Sequence, residues 1–181
     1  MKNLLRIGVL AVGLFLAVDS ANAQQKFGHI NSADLLQAMP EMKTADANFQ
    51  TFAKAKQTSL ELMDAERQKQ MKSYEEKYKT LSEANRAVLE KELTTIGASI
   101  QDLEKRITDA QEKAQEELTA KRSELYQPVF KKAEEAVKAV AKEKGFAYVF
   151  DVSQPGVVYF DGGEDLITAV KTKLGIAAAA K

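Results

Sequence analysis

The chain has 181 residues, 26 basic and 26 acidic, with one histidine and no cysteine. Balanced charge argues against a nucleic-acid binder, which carries a large basic surplus. Without thiols there is no disulfide, no thiol redox chemistry and no cysteine-borne lipid anchor, and a lone His29 cannot build a multi-histidine metal site.

The first residues read as a targeting segment. Lys2 and Arg6 form a basic region, residues 7–18 are apolar and uncharged, and Ala21-Asn22-Ala23 has the small-x-small form of a cleavage site. The apolar stretch is shorter than the ~20 residues a membrane span needs. A signal peptide over 1–23, cleaved near Ala23, is expected to leave an exported, soluble mature chain from Gln24.

Residues 27–31 read as a short strand, with Phe27, His29 and Asn31 on one face and Ile30 on the other. Asn31 or Ser32 can cap a brief helix holding Leu35, Leu36 and Met39, and Pro40 suits the end of that turn or the start of the next helix. From residue 41 to 144 the pattern is helical almost without a break. Met42, Ala45, Phe49, Phe52, Leu60, Met63, Met71, Tyr74, Tyr78 and Leu81 recur three or four apart, with gaps near Lys56 and Arg67. Ile96, Ile100, Leu103, Ile107, Ala110, Ala114, Leu118 and Leu125 follow mostly alternating steps of four and three, a coiled-coil seam.

A run of that length must double back, since helices in compact domains average about 11–12 residues. Ser82 as N-cap, or Thr80 with Glu83 as a capping box, places the tip near 79–83. Gly97 sits within continuing periodicity and is read as a tolerated helical glycine. Pro128 is expected to kink the returning helix, which continues over 129–141 toward Gly145 as its C′ residue. Residues 146–152 are rich in strand formers. Gln154-Pro155-Gly156 reads as a turn and 157–160 as the returning strand of a hairpin. Asp161-Gly162-Gly163 closes it, and a last amphipathic helix is expected over 164–174, with 177–181 frayed.

The expected fold class is α+β, predominantly α: a small β-body bearing a long antiparallel coiled-coil hairpin. Residues 24–40 and 128–181 form the body and 41–127 the arm. A short strand and a hairpin cannot bury themselves alone, so the body calls for partner subunits. Its oligomerisation candidates are Phe27, Ile30, Phe146, Tyr148, Val149, Phe150, Val157, Val158 and Tyr159.

Four segments, in this order, carry a resemblance over the whole mature length. They are Leu35-Leu36-Gln37-Ala38-Met39-Pro40 after the first strand, Leu81-Ser82-Glu83, and Leu125-Tyr126-Gln127-Pro128-Val129 leading to Glu143-Lys144-Gly145-Phe146. The last is Tyr159-Phe160 followed by Asp165-Leu166, Val170 and Leu174. With these the chain resembles the Skp/OmpH family of periplasmic chaperones. The resemblance implies a homotrimer in the periplasm, with a shared β-body and helical hairpins around a cavity that holds unfolded outer-membrane proteins without nucleotide. Two features depart from the family pattern. The arm carries slightly more acidic than basic residues, which argues against membrane or lipopolysaccharide contact, and Ile167 stands where the family usually has threonine.

Client-binding candidates are Met63, Met71, Tyr74, Tyr78 and Leu81, because flexible and aromatic apolar side chains suit varied partners; the same residues could instead pack the hairpin seam. No phosphate-binding glycine loop is present, and Asp161-Gly162-Gly163-Glu164-Asp165 lacks the spacing of a calcium loop. No enzymatic activity, cofactor or metal is expected. The competing reading is a structural coiled-coil spacer or scaffold of the cell envelope.

Overall fold

The computed structural model describes residues 25–176. The expected signal peptide over 1–23 and the expected frayed end over 177–181 lie outside the described residues. The chain divides into two compact units, one of residues 25–39 and 131–176, the other Pro40–Phe130.

The first unit is built on a three-stranded sheet of β1 (Phe27–Ile30), β2 (Tyr148–Asp151) and β3 (Glu164–Asp165), ordered β2-β1-β3. Both pairings are parallel: Phe27, Gly28, His29 and Ile30 face Tyr148, Val149, Phe150 and Asp151, while Gly28 and His29 face Glu164 and Asp165. The expected hairpin is therefore corrected. Residues 157–160 form no strand, and Val158 and Tyr159 are exposed. β2 and β3 take the two edges of β1, and among the described residues no strand pairs with the Val157-Val158-Tyr159-Phe160 backbone despite its strand-forming side chains.

Gly28 and Ile30 point to the covered face of the sheet. Leu35 and Met39, from α1 (Ser32–Ala38) and its end, and Leu166 and Val170, from α4 (Ile167–Lys173) and its start, are the largest fully buried side chains. Ala133, Ala136 and Val140 of α3 (Arg86–Lys144) are buried as well. A Cβ on Gly28 would stand 2.5 Å from Leu166 Cδ1 and 3.0 Å from Phe146 Cε1. The glycine thus permits the closest approach of backbone and core, which its sequence context does not announce.

Hydrogen bonds close the ends of these elements. Asn31 Oδ1 accepts the Asp34 N–H at 3.1 Å, capping α1. Asp151, at the end of β2, accepts from Ser32 N–H (3.1 Å) and Ser32 Oγ (2.6 Å) at the start of α1, and from Ser153 N–H (3.0 Å) and Ser153 Oγ (2.7 Å). Burial pushes the Asp151 carboxyl up, but these four donors outweigh it and hold the group below the ordinary carboxylate value. At Gly145, φ is +70°, and the Phe146 N–H bonds Ala141 O while the Gly145 N–H bonds Lys142 O, the Schellman pattern that ends α3. The last helix starts at Ile167 rather than Glu164. Glu164 and Asp165 are drawn into pairing with β1 instead, and Asp165 Oδ1 takes the Ile167 N–H at 2.8 Å.

The second unit is an antiparallel hairpin. Helix α2 (Pro40–Lys79) opens on a proline whose missing N–H is harmless there, and Lys77 and Lys79 complement the dipole at its end. α3 begins at Arg86 and runs through Pro128 as one helix. The turn is organised neither by Ser82 as cap nor by a Thr80–Glu83 box. Asn85 Oδ1 accepts the Ser82 N–H at 2.7 Å and Asn85 Nδ2 donates to Thr80 O at 2.9 Å. The amide carries an acceptor oxygen and a separate donor nitrogen, so Asn85 closes both sides of the tip. Glu83 instead pairs with Arg86 at 2.9 Å.

Side-chain pairs fix a single register along the hairpin. Lys77 meets Glu92 at 2.6 Å, Tyr74 faces Gly97, Lys56 pairs with Glu117, Arg122 lies over the Phe49 ring, and Tyr126 donates to Asp46 at 2.7 Å. Each step up one helix is matched by a step down the other. The apolar gaps seen in the sequence are filled by charge. Lys56 lies 5.1 Å over Phe52 while pairing with Glu117, and Arg67 is bound to Asp64. Leu93, Leu103 and Ala114 are buried in the seam, with Ala45 buried near the start of α2. Exposed ion pairs contribute only about 0–1 kcal/mol each, so these few apolar side chains supply most of the zip.

Two outcomes follow for the first unit. Gly28→Ala should destabilise it by about 1–3 kcal/mol through overpacking against Leu166 and Phe146, read as a lower urea midpoint. Because the folded Asp151 carboxyl lies below its unfolded value, its contribution is fully present above the unfolded pKa and fades as pH falls through the folded one. Asp151→Asn should therefore cost about 1–3 kcal/mol at neutral pH and flatten the acid limb of stability measured from pH 7 to 2; an unchanged acid limb would exclude this role for the carboxylate.

Candidate binding surfaces

Helical periodicity places Met71 and Tyr78 on one face of α2, two turns apart. Met71 is 40% and Tyr78 61% exposed. Tyr74 lies beside them half-buried, its ring stacked on Tyr78 at 6.4 Å and turned toward Gly97, where a Cβ would stand in ordinary contact 3.9 Å from the ring. Met63 is half-buried toward the seam, and Leu81 is half-buried in the tip turn. Of the five client-binding candidates, then, two are surface side chains and three share their surface between seam and solvent.

Leu62 and Val88 are also exposed, at 67% and 63%. Sequence reasoning passed over both because it followed the apolar stripe. The signal that could have found them is an apolar residue out of phase with that stripe: such a side chain cannot enter the seam and must meet solvent or a partner. The surrounding surface is charged and laced with short-range pairs, among them Lys69–Glu66, Lys72–Glu76 and Arg86–Glu90. Apolar contacts are thus set singly or in small groups on a strongly hydrated scaffold.

The first unit carries a second apolar surface. On the sheet face away from the core, Phe27 stacks with Tyr148 at 5.8 Å and with Phe150 at 6.2 Å, and Tyr148 with Phe150 at 6.4 Å. All three rings are about half exposed. Alternation along β1 and β2 places them there, opposite Gly28 and Val149. Residues 156–163 border the same face, forming with Phe27, His29 and Phe150 a cleft of about 750 Å³. Phe160 packs on His29 at 4.9 Å, and His29 Nδ1 is buried without a hydrogen-bond partner. Among the oligomerisation candidates, Phe27, Tyr148, Phe150, Val158 and Tyr159 are exposed and Val149 and Val157 are half-buried. Ile30 lies in the unit's own core, and Phe146 is half-buried beneath the Lys26 ammonium at 4.1 Å.

Among the described residues no three His, Asp or Glu side chains converge on a point where a metal ion could sit, and no helix is long and apolar enough to cross a membrane. The acidic Asp161–Asp165 segment is spent on structure: Glu164 receives both Lys144 and Lys26, which hold its carboxyl below the usual range. The arrangement offers apolar contact surfaces on a charged hairpin and on an open sheet face, the surfaces of a protein that binds proteins.

Comparison with known proteins gives that class a family. A family model described as Outer membrane protein (OmpH-like) matches residues 26–174, and the chain belongs to this Skp/OmpH-like family of outer membrane chaperones. It is 25% identical over 176 residues to Chaperone protein Skp of Vibrio cholerae, a match covering 94% of this chain and 100% of the relative. The fold is similar to the crystal structure of an OmpH-like outer membrane chaperone from Caulobacter crescentus. That match has a TM-score of 0.66 and 15% identity and covers 83% of each chain.

Proposed function

We propose that the protein is an ATP-independent periplasmic holdase that binds unfolded outer-membrane proteins between its helical arms and prevents their aggregation. The observation that carries the reading is the exposed Met71–Tyr78 face of α2, with further exposed apolar side chains, Leu62 and Val88, elsewhere on otherwise charged helices. A holdase needs many weak, non-directional contacts on a soluble support. Methionine and tyrosine provide them, the first through a flexible thioether chain and the second through a rigid ring with a polar end. Isolated exposed apolar residues are ordinary; a grouped face on a family chaperone points to a binding role.

The reading includes assembly as a homotrimer through the aromatic sheet face. Phe27, Tyr148 and Phe150, with Val158 and Tyr159, form a surface that a second subunit can cover, and the unpaired 157–160 backbone would gain partners there. Neither nucleic acid nor nucleotide has a part in it, and the balanced charge of the arm does not favour binding to membrane or lipopolysaccharide.

Denatured outer-membrane barrel protein diluted from urea into the mature chain from Gln24, without nucleotide, should scatter little light at about one oligomer per client. Leu62→Ser, Met71→Ser, Tyr78→Ser and Val88→Ser combined should raise scattering several-fold while the helical circular dichroism stays unchanged. Full scattering with the folded unaltered protein would favour the envelope spacer. Light scattering coupled to gel filtration should give three times the chain mass, and Tyr148→Asp with Phe150→Asp should shift it to one.

A further inference from the structure

We propose that Met71 is an oxidation site: peroxide converts it to methionine sulfoxide, and the change weakens client binding by the hairpin. The second clause rests on the holdase reading; the first does not. A thioether carries no ionisable proton, so its oxidation rate follows access more than local charge. Met71 is 40% exposed, whereas Met39 is 0% exposed and Met42 and Met63 are half-buried. Met71 is thus the open thioether among the described residues, and it lies on the face assigned to client contact.

The neighbourhood is also suited to hold the product. Arg67 Nε and Nη2 donate to Asp64 Oδ1 at 3.0 and 2.8 Å, and Gln68 Nε2 donates to Asp64 Oδ2 at 2.7 Å. This bracing leaves Arg67 Nη1 aimed at Met71 Sδ, 3.2 Å away. Thioether sulfur is a weak acceptor, while a sulfoxide oxygen is a strong one, so the same guanidinium gains a better partner after oxidation.

In the step itself a sulfur lone pair attacks one oxygen of hydrogen peroxide, the O–O bond breaks and an S–O bond forms. The hydroxysulfonium proton passes to the departing hydroxide. Sulfur is oxidised by two electrons, the peroxide is reduced, and water leaves. The product side chain is polar and chiral. Drawn to Arg67, it lies along α2 rather than reaching outward, and the apolar contact beside Tyr78 is lost.

The full mature protein, assembled and without client, is treated with graded hydrogen peroxide, and each methionine is followed by peptide mass spectrometry. Met71 should oxidise several-fold faster than Met42 and Met63 and far faster than Met39. A rate at Met71 equal to or below that of Met63 would overturn the site. Binding of a fluorescently labelled, denatured barrel protein is then measured before and after treatment. Oxidation should weaken it several-fold, Met71→Leu should resist peroxide, and Met71→Gln should bind weakly without it. Selective oxidation with unchanged affinity would overturn the consequence. A lack of binding by the untreated protein would instead overturn the holdase reading and leave the oxidation site standing on its mass spectra.

Discussion

Parallel pairing of β1 with β2 is the constraint from which the rest of the chain follows. Two parallel strands cannot be joined by a tight turn; the chain must leave one end of the sheet and return to the opposite end of the neighbouring strand. Here the connection runs through α1, α2 and α3, and within the hairpin register is kept by pairs such as Lys56–Glu117 and Tyr126–Asp46. A long insertion between adjacent strands costs little, because loop-closure entropy grows only with the logarithm of length. The hairpin also zips itself, so it can lengthen without further demands on the sheet. Gly28 makes the pairing tight, since any larger residue would hold β1 away from Leu166 and Phe146.

The two units solve opposite problems. The first packs Leu35, Met39, Leu166 and Val170 to near-zero exposure and locks β2 to α1 through Asp151. The second is a two-helix structure with too little interior for a dense core. Its seam mixes alanine, leucine and isoleucine with Lys56, Arg67 and Lys77, and its ion pairs are partly exposed. Low burial density favours easy local opening, and it leaves apolar side chains such as Met71 and Tyr78 available to other chains. The same sparseness leaves the Met71 thioether open to solvent.

Helical periodicity made the hairpin legible before any coordinates. Ile100, Leu103 and Ile107 set the phase of α3, while Pro40 and Gly145 marked the outer limits, because each of these signals acts over a few residues. Asn85 rather than Ser82 organises the tip: both are good capping residues, and only the fold of the turn shows which one reaches two backbone partners. The stripe yielded Met63, Met71, Tyr74, Tyr78 and Leu81, whereas the exposed Leu62 and Val88 lay outside it, because a stripe analysis discards what is out of phase.

By itself the sequence determined the helical hairpin, the strand-forming character of β1 and β2 and, through the order of its junction motifs, the family. All of these rest on local periodicity, capping and linear order. Tertiary structure decided the parallel sheet, the pairing of Glu164 and Asp165 with β1, the unpaired state of residues 157–160 and the burial of Ile30 in the core on the other face of the sheet. Strand propensity says that a segment can pair but not with what. Only the three-dimensional neighbourhood of β1, fixed by Gly28 and the core against it, chose among the candidates.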